Sequence, residues 1–165
     1  MYRAVLAVSV LAASALPAAA QQAQTQAQEQ PQVQLSWVTT ETENGATFAF
    51  GTAEADNTVL SILCERGNPT VLITSTITPK GLKADEQAKI TFTAGKVRKE
   101  LAGKGVASED GAVVDLEVGA KLDDVKALVS GGKILVLETK GVKQQVALLG
   151  AGDAYTQFEN LCKAK

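Results

Sequence analysis

The sequence predicts a mainly β domain: an antiparallel β-sandwich or partly open barrel of about eight or nine short strands with two short helices. Three observations predict it. From Leu35 onward, short apolar runs rich in β-branched residues recur between Gly, Pro, Asn and Asp. The apolar spacing lengthens from 2 to about 3.6 in only two segments. The chain also carries 2 cysteines, one at the end of an apolar strand and one on the apolar stripe of the last helix.

Ser36–Thr42 (SWVTTET) reads as the first strand. Asn44-Gly45 reads as a type I′ turn, which needs two residues at positive φ, and Thr47–Thr52 as the return strand. Asp56-Asn57 turns into Val59–Glu65 (VLSILCE), which Gly67-Asn68-Pro69 closes. Thr70–Thr78 is a long strand stopped by Pro79 and Gly81. Ala88–Ala94 alternates, with Ile90 and Phe92 on one face and Thr91 and Thr93 on the other. Gly95 turns into a weaker strand, Val97–Leu101, and Gly103 and Gly105 mark a loop. Asp110-Gly111 introduces the strand Ala112–Val118. Leu122, Val125, Leu128 and Val129 make one helical face within 122–130, with Gly131 as C-cap. Lys133–Thr139 and Val142–Leu149 pair across Lys140-Gly141. The last helix runs from Asp153, its N-cap, to Lys163, with a stripe of Ala154, Phe158, Leu161 and Cys162.

Three segments organise the chain. Residues 1–20 read as a secretory signal peptide: Arg3, an apolar run from Ala4 to Leu16, and a small-residue site ending in cleavage between Ala20 and Gln21. The run is shorter than the ~20 residues that span a bilayer. No cysteine lies beside the site for lipid attachment, so the expectation is a periplasmic or secreted protein that is not a lipoprotein and has no membrane span. Residues 21–34 are a Gln-rich linker with too little apolar surface to offset chain entropy. Residues 35–165, about 130 in all, fit a single β-rich domain. The formal charge of −2 becomes −3 on loss of Arg3, too mild to point to nucleic acid.

Cys64 shares a strand face with Leu60 and Ile62, and Cys162 lies on the stripe of the last helix. Both sulfurs therefore point to one core, and in an oxidising compartment they pair. The bond spans 98 positions. Redox-active pairs usually lie close together, as in C-x-x-C, so this pair reads as structural.

Trp37 near the start of the domain, the strand Cys in LSILCERGNPTVLI and the terminal VALLGAGDAYTQFENLC together resemble small exported bacterial proteins with one strand Cys and one terminal-helix Cys. The accessory proteins of type VI secretion of the VasI type have this layout. The resemblance implies a bacterial periplasmic origin.

Chemistry is constrained by subtraction. The chain has no histidine, which removes Ser-His-Asp and Cys-His schemes and His-ligated metals. With both cysteines bonded, no thiolate is left for a metal. Asp123-Asp124 suit the positive end of the first helix. Asp85-Glu86 and Glu109-Asp110 read as turn residues, and Asp115 and Glu117 as outward-facing. Gly103-Lys104-Gly105 and Gly150-Ala151-Gly152 complete no phosphate-binding pattern. No cofactor and no metal site is expected. Lys96, Arg98, Lys99 and Lys104 form the one basic cluster, a possible interaction patch for an acidic partner, weighed against a solvated hairpin. Trp37, Phe48 and Phe50 are either an exposed patch or core. The reading is a non-enzymatic envelope protein that binds another envelope component. The alternatives are a small-ligand or carbohydrate-binding module and a carboxylate-dependent hydrolase.

Overall fold

The computed structural model of the chain describes residues 34–52, 57–77, 79, 81–107 and 114–163. The signal peptide, its site at Ala20 and Gln21, residues 21–33 of the Gln-rich segment, Asp56, Thr78, Glu109-Asp110, Gly111 and Ala112 lie outside the described residues.

The strands are β1 (Ser36–Thr42), β2 (Gly45–Gly51), β3 (Leu60–Glu65), β4 (Thr70–Ser75), β5 (Gln87–Ala94), β6 (Val97–Ala107), β7 (Val114–Lys121), β8 (Ile134–Thr139) and β9 (Val142–Ala147). The helices are α1 (Leu122–Val129), between β7 and β8, and α2 (Ala151–Lys163), after β9. The strands form one antiparallel sheet in the order β1-β2-β3-β4-β7-β6-β5-β8-β9. The sheet curls into a half-barrel, so the partly open barrel is the form adopted and the two-sheet sandwich is not.

Alternation decides which face turns inward. Along β5, Ala88, Ile90, Phe92 and Ala94 are buried, while Gln87 and Lys89 are exposed. The inner face meets both helices. α1 buries Leu122, Val125 and Leu128, and lies against β5, β6 and β7. α2 buries Ala151, Tyr155, Phe158 and Cys162, and lies against β1 and β2. Trp37, Phe48 and Phe50 are core rather than an exposed patch: Trp37 stacks on Phe48 with ring centroids 4.4 Å apart, and Phe48 lies 5.6 Å from Phe158.

The two outermost strands approach each other. Trp37 Nε1 on β1 donates to the carbonyl of Ala147, the last residue of β9, at 2.6 Å. Beside this seam, Thr39 Oγ1 donates to the Ala154 carbonyl of α2 at 2.6 Å.

Several local expectations are corrected. Val97–Leu101 with a loop at Gly103 and Gly105 is one strand of 11 residues. These glycines serve close approach, not a break: a Cβ at Gly103 would lie 2.2 Å from the Glu117 carbonyl, and one at Gly105 2.3 Å from that of Lys83. The turn after β1 is Glu43-Asn44, with neither residue at positive φ, so it is not type I′. The turn with two positive φ values is Lys140-Gly141, at 43° and 78°. The strand Thr70–Thr78 ends at Ser75, because the buried Ser75 Oγ accepts the Ile77 amide and turns the chain away. Ser130 rather than Gly131 is the C-cap of α1. Asp153 is no N-cap, since α2 begins at Ala151 and Asp153 sits in its first turn.

Candidate functional site

The disulfide is the anchor of the interior. Cys64 on β3 and Cys162 on α2 are bonded, with Cα atoms 5.8 Å apart and both side chains buried. The Gly67 amide donates to the Cys162 carbonyl at 2.7 Å, so the β3–β4 turn also holds the end of α2. α1 and α2 are joined to each other by Tyr155 Oη, which donates to the Leu122 carbonyl at 2.9 Å. Burial pushes the Tyr155 phenol well above its ordinary range, and the negative charges of Glu159 and Asp123 add to the shift. Glu159 accepts from Lys163 at 2.7 Å and from Lys126 of α1 at 3.0 Å. Those bonds, Lys163 first, hold its carboxyl below the usual range.

With both helices seated, the concave face is packed. Between α1 and the inner strands lies an apolar void of about 10 Å³, bounded by Trp37, Phe92, Val125 and Leu128 among others. A larger cleft of about 640 Å³ opens beside the disulfide, between the β3–β4 turn and the start of α1. Its floor includes Pro69, Leu122 and Cys162, and its charged groups are Lys121, Asp123 and Lys163.

The basic cluster does not share one face. Arg98 and Lys104 are exposed on the outer face of β6 with Glu100 between them, and Lys96 sits in the β5–β6 turn. Lys99 faces the opposite way and pairs with Asp124 of α1 at 2.6 Å. The carboxylates are dispersed as well. Glu86 pairs with Lys140, and Glu117 lies on the outer face of β7 opposite Lys104. Among the described residues, no three His, Cys, Asp or Glu side chains gather as a metal site, and no helix is long and apolar enough to cross a membrane.

Three exposed apolar side chains that the residue patterns above do not single out lie in or next to β1, β8 and the β9–α2 turn. Leu149 is 90% exposed, Ile134 47% and Leu35 40%. Leu149 stands in the turn between β9 and α2, closed by the Ala151 amide donating to the Leu148 carbonyl at 3.2 Å. Gly150, at φ 78°, supplies the positive φ that a type II turn requires after Leu149. Ile134 pairs across the ladder with Ala147, whose carbonyl takes the Trp37 bond, and Leu35 directly precedes β1. The available signal was the doublet Leu148-Leu149: Val146 and Leu148 continue the buried alternation, and Leu149 breaks it.

No protein-family model, no characterised protein and no solved structure matches the chain.

Proposed function

We propose that this chain is a non-enzymatic, exported protein of the bacterial cell envelope that acts as an interaction or accessory module, docking a partner on the apolar seam. The observation that carries this reading is Leu149, 90% exposed in the hydrogen-bonded turn after β9, whose last residue Ala147 is the ladder partner of exposed Ile134. An isolated exposed leucine is ordinary, but large exposed apolar side chains on adjoining strand ends favour a partner. Lys133 beside Ile134 and Asp153 in the first turn of α2 are exposed and have no ion pair within the described chain. The buried disulfide favours an oxidising compartment, consistent with export through residues 1–20. The resemblance to VasI-type proteins favours a periplasmic setting for such a module.

The test is site-specific photo-crosslinking in cells that express the full chain. A crosslinker at Leu149 should trap one envelope protein, and a crosslinker at exposed Lys143 should not. Ile134→Asp should abolish the adduct while leaving the melting curve intact. Equal crosslinking from both positions, insensitive to Ile134→Asp, would remove the seam as the docking site. N-terminal sequencing of the periplasmic fraction should begin at Gln21.

The cleft of about 640 Å³ beside Cys162 favours a second reading, a small-ligand or carbohydrate-binding module. Its volume falls within the range of ligand pockets. Saturable binding from a glycan or metabolite panel, lost on Leu122→Trp, would select it.

A further inference from the structure

The outer face of the sheet carries an uncharged row. Thr40 pairs with Thr47, Thr47 with Leu63, Leu63 with Leu72, and Leu72 with Gly119, in register across β1, β2, β3, β4 and β7. Leu63 and Leu72 are 41% and 38% exposed, and Gly119 has open space where a Cβ would be. Solvated sheet faces normally place charged or strongly polar side chains at such positions.

The charges that flank this row have a symmetry of their own. On β7, Glu117 and Lys121 stand two residues to either side of Gly119 on the same face. On β6, Lys104 and Glu100 stand two residues to either side of Ala102. Lys104 is the ladder partner of Glu117, so one side of the row carries Glu117 with Lys104, and the other Lys121 with Glu100. Neither Glu117, Lys121 nor Lys104 has an ion pair within the described chain, while Glu100 pairs with exposed Lys89.

We infer that this convex face is a self-complementary docking surface for a second copy of the same chain. A two-fold axis lying in the face along the uncharged row sets each β7 antiparallel over its mate. Glu117 then meets Lys121 of the second copy, Lys104 meets its Glu100, and the symmetric pairs follow at once. The leucines and Gly119 lie dry at the centre. A two-fold axis along β7 instead would lay the two strands parallel and set Glu117 on Glu117. The curl of the sheet restricts contact to about four strands, roughly 20 Å across. That is an interface below about 1,200 Å² in total, the size of transient association rather than of an obligate dimer. This surface lies on the outer face of the sheet and is independent of the seam.

The test is sedimentation equilibrium of the exported, disulfide-bonded full-length protein over a concentration series. The wild type should dimerise reversibly. Glu117→Lys alone and Lys121→Glu alone should each weaken self-association by about tenfold or more, through like-charge contact. An equimolar mixture of the two variants should recover association as a heterodimer, because each supplies the charge the other needs. Leu72→Lys should abolish dimerisation with or without the swaps. Thermal melts of all variants establish that they fold. A wild type that stays monomeric at about millimolar concentration, or a dimer indifferent to the single swaps and to mixing, overturns the inference.

Discussion

Tyr155 is the residue on which the two helices meet. Its hydroxyl bonds the carbonyl of Leu122, the first residue of α1, while its ring lies 5.8 Å from Phe48 and 6.0 Å from Phe158. Tyr155→Phe keeps the ring and removes one buried hydrogen bond to a carbonyl that also serves the first turn of α1, so it should cost about 1 kcal/mol in urea denaturation. The raised phenol pKa has a definite sign. Between the ordinary tyrosine pKa near ~10 and the higher folded value, the folded state keeps a proton that the unfolded state has lost. Stability therefore falls as pH rises above about 10, and absorbance at 295 nm should show Tyr155 ionising only with unfolding once Tyr2 is removed. Glu159 has the opposite sign. Its depressed pKa, caused by Lys163 and then Lys126, adds stability above the unfolded carboxylate pKa and loses it as pH falls through the folded value. Glu159→Gln should cost at most about 1 kcal/mol at neutral pH, and wild type and variant should converge in acid.

At the level of elements, the 98-residue disulfide loop ties α2 to β3 across most of the domain. Chain-entropy arguments put the effect of such a loop at about 4–5 kcal/mol. Cys162→Ala should lower the urea midpoint accordingly, and the wild type should lose the same stability in reductant while the variant does not respond. The pair was legible from sequence because each cysteine sat in an unambiguous apolar pattern and both belonged to one predicted core. β1 was legible to its end residues, and β5 from its alternation. β6 was not, because a glycine in a strand and a glycine in a loop look alike until the neighbouring backbone is known. Gly103 lies under the Glu117 carbonyl of β7, the next strand in the chain, and only the register of that pairing reveals the close approach. Gly103→Val should therefore destabilise by about 3 kcal/mol or more, far beyond a propensity change, since the clash is with backbone that cannot move aside.

The whole molecule turns on how a curled sheet with two free edges is kept shut. The strand order β4-β7-β6-β5-β8 could not be read from the sequence, because β-runs of similar texture can pair in many ways. Nor could the seam, for the same reason: Trp37 and Ala147 are 110 positions apart. From the local sequence Trp37 reads either as part of an exposed patch or as core. In the fold its ring stacks on Phe48 and its indole N–H reaches the end of β9, so one side chain belongs to both edges of the sheet. α2 spans the same gap through Thr39 and Ala154. Trp37→Phe retains an aromatic ring on Phe48 and loses the bond across the seam. It should cost about 1–2 kcal/mol overall. The loss should also be uneven. Hydrogen exchange should quicken in β9 and the first turn of α2, where the seam is the restraint, and change little at β3 and Cys162, which the disulfide holds independently. Uniform acceleration across the domain would mean that the half-barrel opens only by global unfolding and that the Trp37–Ala147 bond is not its closure.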